Sequence, residues 1–416
     1  MRCRIKIFTV LCMVFILAAG CGLKWEPPLY VAETEEKAAF LQAEEGLQQE
    51  TAASFSEGEE FAAIYRSVYD NAEYTGAPFN LETMRGILER FGEYGYAAVD
   101  RKNQLDMVNA DQVIRFCEAV NAKMCADLTI IAADDGGMFT KYRFGTEEGE
   151  VDISREDFRY EDGGLKKIYA ADCKADVWRY TKEGYLLFEG SYYSKEYYLL
   201  ALDETPECAA LRVEPLDSKC REFNRTCILP VGYRQNNIFL VDWSEEDFGE
   251  LDFYDAFDRF YPLLYDRAVP YTEDENLGVG AVYGIKEEEF ETVVQAFIEV
   301  GSQELRVNTV YDPQRKAYEY KPRGFEEKEY PQIPYPEVVS SEERADGTIA
   351  LTVHAVYPEG NTSRAFSHQT VIRPREDGGF CFVSNRRIFS DQDQSAWWHS
   401  DRLSAEKWNE IYGEND

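Results

Sequence analysis

Among the side chains able to do chemistry, Cys21 has the most specific surroundings. It follows Leu17-Ala18-Ala19-Gly20, small residues that close an apolar stretch running from Ile7, behind a basic start at Arg2, Arg4 and Lys6. That stretch is shorter than the roughly 20 residues that span a bilayer as a mature helix. A basic start, a short apolar core and small residues before a cut site describe an export signal over residues 1–20. Acylation of a thiol placed there would supply the insertion energy that the short stretch lacks. Lipidation of Cys21 is therefore expected.

Carboxylates form the next group. Asp242, Glu245, Glu246, Asp247, Glu250, Asp252, Asp255 and Asp258 crowd one segment. Oxygen-rich clusters attract Ca²⁺ in extracytoplasmic proteins. Neither this segment nor Asp391-Gln392-Asp393 has the loop glycine and closing glutamate of an EF-hand, so a solvated acidic face is expected. Paired carboxylates beside aromatic rings also suit a glycosidase. Trp243, Trp397 and Trp398, near Asp242 and Asp393, are the candidate surface platforms, although packing in a core or an interface is the plainer use of tryptophan. Two carboxylates about 5–9.5 Å apart in a cleft with an aromatic floor would point to that enzyme. A shallow, charge-poor aromatic patch would point to a binding module.

The other candidates are weaker. His354 and His368 stand equally far from Asn361, so a hairpin symmetric about that residue sets them face to face, where they could hold a metal or sense pH. No third ligand has recognisable spacing, and no metal or other cofactor is expected. Ser404-Ala405-Glu406-Lys407 matches Ser-x-x-Lys without the companion motifs of penicillin-interacting enzymes, and Ser404 reads as a helix cap. The glycines from Gly278 to Gly284 have the wrong spacing for a dinucleotide loop. Cys117, Cys125, Cys173, Cys208, Cys220, Cys227 and Cys381 are odd in number and include no Cys-x-x-Cys. A helix over Ser218–Thr226 would hold Cys220 and Cys227 apart, so mostly free, buried thiols are expected.

The elements that must position these groups follow from periodicity. Residues 21–60 are rich in glutamate with alanine and glutamine between, an acidic tether. An N-terminal α+β lobe over 61–205 opens with helical stripes at Phe61, Ile64, Tyr65, Val68 and at Leu81, Met84, Leu88, Phe91, the latter capped by Asn80. A third helix, capped near Asn109, carries Val113, Cys117 and Val120. Strands follow at 128–132, 139–144, 150–154, 177–180 and 185–188, separated by Asp-Gly and Glu-Gly turns. A mixed central segment, 206–279, has a short strand at 238–241 and a helical face at Phe253, Phe257, Phe260, Tyr261 and Leu264. A C-terminal α+β lobe over 280–390 repeats the order. It has a helix through Phe290, Val293, Val294 and Phe297, then strands at 306–311 and 317–320, a proline-rich connector at Tyr330–Pro336, and a meander from Ile349 to Ser384. Residues 391–416 are a tail with a short helix. The fold class is α+β, two lobes each with a helix packed on a curved antiparallel sheet. By element order, cystatin-like or NTF2-like folds are the nearest analogues.

With 44 basic against 78 acidic residues, a formal charge of −34 argues against nucleic-acid partners. The residues before Cys21 are similar to a bacterial lipoprotein processing site, with Ala18 where Leu, Val or Ile is usual. Asp242-Trp243-Ser244-Glu245-Glu246-Asp247-Phe248, Tyr320-Lys321-Pro322-Arg323-Gly324-Phe325 and the Asp346-Gly347 meander resemble an uncharacterised lipoprotein family of Gram-positive bacteria. That resemblance implies a location and no catalytic residues. The expectation is a lipid-anchored extracytoplasmic binding or assembly module at the bacterial envelope, with the membrane and an envelope protein or glycan as partners. Its rival is a carboxylate-based hydrolase of envelope glycans.

Overall fold

A computed structural model describes residues 61–64, 66, 80–134, 137–161, 164–191, 207–271, 280–328 and 330–413, all within one compact unit, Phe61–Asp416. The expected signal, the tether and Cys21 lie outside the described residues, as do Tyr65 and Val68. No described helix is long and apolar enough to cross a membrane.

The protein is α+β. The first sheet has seven strands in sequence order: β1 (Ala97–Asp100), β2 (Ala126–Ala133), β3 (Met138–Glu147), β4 (Glu150–Glu161), β5 (Gly164–Tyr180), β6 (Tyr185–Gly190) and β7 (Glu207–Arg212). It is mixed, because β1 pairs with β2 in parallel while every later pair is antiparallel. Two helices explain the parallel pair. The helix α1 (Leu81–Glu93) packs Met84, Ile87, Leu88 and Phe91 on Ala98, Ile131 and Ala133; α2 (Ala110–Asn121) packs Val113, Phe116 and Val120 on Ala97, Val99, Ile130 and Ala132. With both faces covered, these strands read as unbroken apolar runs rather than alternations. Asn80 caps α1, its Oδ1 accepting from Thr83 N at 2.9 Å. Asn109 instead sits in the left-handed region and donates its amide to Gly92 O and Tyr96 O. The β3–β4 turn is Glu148-Gly149, both with positive φ, the two-residue geometry whose twist matches the flanking strands.

The sheet curls almost shut. Buried Asn103, in the left-handed region just past β1, donates to Ala210 O (2.8 Å) and accepts from Arg212 N (2.8 Å), stitching the first strand's exit to the last strand. Strand β7 therefore carries this sheet past residue 205, where the first lobe was expected to end.

The helix α3 (Ser218–Phe223) runs into a π turn, Asn224–Ile228. The expected strand at 238–241 is a series of turns around Asn237, whose backbone carbonyl accepts from Leu240 N and Val241 N. A two-residue strand β8 (Trp243–Ser244) and the helix α4 (Phe253–Tyr265) follow. Three strands form a small sheet in the order β10 (Tyr311–Asp312), β11 (Ala317–Tyr320), β9 (Tyr283–Lys286). Helices α5 (Glu287–Gln295) and α6 (Ser302–Val307) separate β9 from β10. The expected strand over 306–311 is thus mostly helix and turn: Val307 and Val310 point to solvent, and Leu305 alone on that helix is buried.

The last sheet is β12 (Tyr335–Glu343), β13 (Ile349–Val356), β14 (Ser367–Pro374), β15 (Phe380–Ile388) and β8, antiparallel throughout. Part of the expected proline-rich connector is strand, since Pro336 lies on the edge strand, where a missing N–H is tolerated. Its core face packs on α4 and α5, with Phe257 stacked on Phe290 and Phe260 on Phe382. Val356 is buried against Tyr185, Leu187 and Ala210 of the first sheet. Across that seam Glu337 accepts from Tyr185 OH (2.7 Å) and pairs with Arg212 (3.2 Å).

Candidate functional site

Three-residue spacing sets Asp252, Asp255 and Asp258 along one side of α4, and they do not form the solvated face expected of that segment. Asp255 is 1% exposed. Arg323 approaches it from the loop after β11, with Nε at 3.1 Å and Nη2 at 2.7 Å; Arg402, just ahead of the last helix α7 (Ala405–Tyr412), gives Nε at 2.9 Å. Asp258 accepts from Tyr320 OH (2.5 Å) and from Arg402 Nη2. The remaining guanidinium groups are held by backbone: Arg402 Nη1 donates to Lys321 O (2.6 Å) and Arg323 Nη1 to Ser400 O (2.7 Å). The segment turns inward because this side of α4 meets cations rather than water. A buried network of this kind fixes geometry more than it adds stability, since desolvation cancels much of the attraction.

Beside the network lies an open cleft of about 460 Å³, lined by Asn237, Glu250, Asp252, Tyr254, Asp255, Asn308, Glu319, Lys321, Glu327, Asp401, Arg402 and Trp408. Asp252 forms the N-cap of α4, accepting from Tyr254 N (2.8 Å) and Asp255 N (3.0 Å). Its side chain keeps 26% exposure toward the cleft. Crowding by protein atoms, then the charge of Asp255, pushes its carboxyl up to about 6, against the pull of Arg402 and the capped N–H groups. Burial likewise raises Asp258, against Arg402 and Tyr320. Burial opposes the charge on Arg402, yet Asp258, Asp255 and Asp252 together hold its pKa well above normal. Glu327 accepts from Leu403 N and Gly324 N, both at 2.7 Å. Trp408 forms part of the wall with Lys321 Nζ 4.4 Å from its ring centroid, while Lys321 also pairs with Glu319 at 3.0 Å. A side chain at Gly280 would collide with the Trp408 ring, so that glycine, one of the three noted around the loop, seats the ring and binds no phosphate.

The tryptophans expected as surface platforms separate. Trp243 is 4% exposed with Nε1 donating to Ile238 O (2.8 Å), and Trp398 is 1% exposed, stacked on Phe366; burial removes both from any surface. Trp397 stays 56% exposed, edge-on to Tyr330. None of the three lines the cleft. The histidines do not face each other. His354 pairs with Ser367 and His368 with Val353, one residue off the symmetric register, which puts the two rings on opposite faces. No group of three or more metal-ligating side chains occurs among the described residues. Among the described residues no disulfide joins these seven cysteines, and Cys117, Cys220, Cys227 and Cys381 are buried. Ser404 caps α7 through Lys407 N (3.2 Å), as expected.

Sequence reasoning named Asp252, Asp255 and Asp258 only among eight acids of an expected solvated face, and missed Arg402, Arg323, Lys321 and Trp408, which arrive from segments over sixty residues away. Their spacing on one helix side was the only local signal. The chain belongs to a family of unknown function (DUF6070), matched over residues 51–402. No curated protein and no solved structure was found to match it.

Proposed function

We propose that this member of the family is a non-catalytic binding or assembly module, anchored by a lipid on Cys21 at the extracytoplasmic face of a bacterial cell membrane. In this reading the cleft beside Trp408 takes a polar, positively charged group presented by an envelope protein or glycan. The observation that carries it is how the carboxylates are used. Asp255, Asp258 and Glu327 are fixed by arginine, tyrosine or backbone donors. Asp252, exposed Glu250 and exposed Asp401 still face the opening. What is left is negative charge beside an aromatic wall, suited to holding a cation. A nucleic acid would be repelled, and the reading needs no cofactor. The analogy of each lobe to cystatin-like or NTF2-like folds belongs to the same reading and rests on element order.

One observation favours the rival, a carboxylate-based hydrolase of envelope glycans: Asp252 is held near pKa 6 beside Trp408, where a general acid would sit. That mechanism needs a second, unengaged carboxylate across the sugar. Glu319 is tied to Lys321 and Asp255 to two arginines, so exposed Glu250 or Asp401 would have to fill that role.

The test is calorimetric titration of the full chain with a glucosamine hexamer, a cationic glycan. Saturable binding is expected, weakened by ~10-fold or more in Asp252→Asn, which keeps a capping side chain but loses the charge. Release of new reducing ends by the wild type, abolished in Asp252→Asn, would instead establish the hydrolase.

A further inference from the structure

A second cleft, of about 320 Å³, opens between α1, the loop after β1 and the α3 segment. Its charge is opposite to that of the chain. Arg85 from α1 and Arg221 and Arg225 from the α3 segment all line it, in a protein with 78 acidic and 44 basic residues. Only one of the three is neutralised. Buried Arg221 is clamped by Asp106, through Nε (2.9 Å) and Nη2 (2.6 Å), and by Asn103 O (2.7 Å). Arg225 donates to the Gln104 carbonyl at 3.2 Å, and neither it nor Arg85 forms a salt bridge with any described residue. Of the nearby acids, Asp100 accepts from Gln104 N and Leu105 N, Asp106 holds Arg221, Glu89 lines the opening and is exposed, and exposed Glu222 attracts Arg225 without a salt bridge. Three guanidinium groups so placed repel one another: burial, then the charges of Arg221 and Arg85, lower the pKa of Arg225 against the pull of Glu222 and Asp100. The rest of the wall is apolar, with Leu88, Leu105, Met107 and Leu216.

We propose that this cleft is an anion site for a phosphate monoester carried on an apolar body, with Arg85 and Arg225 gripping the phosphoryl oxygens and the apolar wall taking the body. Two guanidinium groups without a salt bridge match a dianion, whereas a single carboxylate would leave one of them unpaired. Guanidinium groups bind phosphoryl oxygens through paired N–H donors, and desolvation by the apolar wall strengthens the contact. The phosphoryl group comes either from a lipid headgroup of the phosphatidic acid type or from a soluble ester; the chemistry is the same for both. This inference is independent of the acidic cleft beside Trp408.

Phenyl phosphate is the probe, titrated into the full chain by calorimetry, with vesicles of phosphatidylcholine alone or with phosphatidic acid as a parallel arm. One saturable site is expected, weakened at least tenfold by Arg85→Gln and by Arg225→Gln. Arg90→Gln, on the same helix but paired with Glu93, should leave it unchanged. Thermal unfolding midpoints of the three variants report whether the fold is kept. Extra retention on phosphatidic acid vesicles that both variants lose assigns the headgroup; phenyl phosphate binding without that retention assigns a soluble ester. Absence of binding in both arms, or binding that survives both substitutions in a folded chain, overturns the proposal.

Discussion

Replacing His368 with glutamine should remove a defined acid-sensitive component of stability. The ring is fully buried on β14, stacked on Phe239 with centroids 5.0 Å apart. Nδ1 lies 2.8 Å from Asn385 Oδ1 and Nε2 lies 3.1 Å from Tyr233 OH, which together fit a neutral ring carrying its proton on Nδ1. Burial pushes its pKa down to about 3, against the hydrogen bond to Asn385 and with the positive field of Arg387. The unfolded chain takes up this proton near pH 6.5, whereas the native chain resists until near pH 3. The stabilisation is therefore complete above pH 6.5 and is lost progressively as pH falls through that window. Linkage puts the loss between pH 7 and pH 5 at about 2 kcal/mol. Asp252 works the other way: its raised pKa makes the native state the better proton acceptor, returning about 1 kcal/mol over the same interval. Urea unfolding followed by tryptophan fluorescence at pH 7 and pH 5 measures the sum of these and of His354, which burial lowers to about 4, and the wild-type-minus-variant difference isolates His368. The glutamine variant should lose stability at pH 7 through missing hydrogen bonds yet fall about 2 kcal/mol less than wild type on acidification. Parallel pH slopes in the two proteins would refute a buried neutral imidazole.

Three further outcomes follow from the same geometry. Arg402→Met leaves buried Asp258 with Tyr320 alone and takes one of two cations from Asp255, and should cost ~3–5 kcal/mol in urea unfolding, partly recovered by adding Asp258→Asn; a cost under ~1 kcal/mol would mean the network is solvated. Cys125 is exposed, while burial raises Cys117 to about 12 and Cys227 to about 11, so Cys125→Ser should remove one equivalent from the fast phase of thiol labelling at pH 8 and leave the slow phase unaltered. Metabolic labelling with a palmitate analogue should mark the wild type and fail in Cys21→Ala; equal label in both would remove the anchor from the proposal.

Elements governed by local physics were legible in the sequence. The stripe Met84, Leu88, Phe91 behind Asn80 became α1, and Glu148-Gly149 became the β3–β4 turn, because caps and positive-φ positions depend on near neighbours. Strand β1 was missed: Ala97-Ala98-Val99-Asp100 is covered on both faces and so shows no alternation. A strand was expected over 306–311, where α6 ends and a turn follows; Val307 and Val310 look like core residues, though both are exposed. The histidine pairing failed by one residue of register, since the loop contains a Tyr357–Thr362 bridge, which sequence symmetry could not foresee. The candidate site was half visible. Asp252, Asp255 and Asp258 share a helix side by spacing alone, but nothing local marks Arg323 and Arg402 as the cations that turn them inward.

The central claim is that the acidic cleft holds a cationic envelope ligand without converting it. The most direct measurement incubates the full chain with a fluorescent cell-wall glycan and follows retained and released label together. Intact glycan should stay bound to the wild type, be lost from Asp252→Asn, and yield no shortened products. Shortened glycan accumulating with the wild type alone would contradict it.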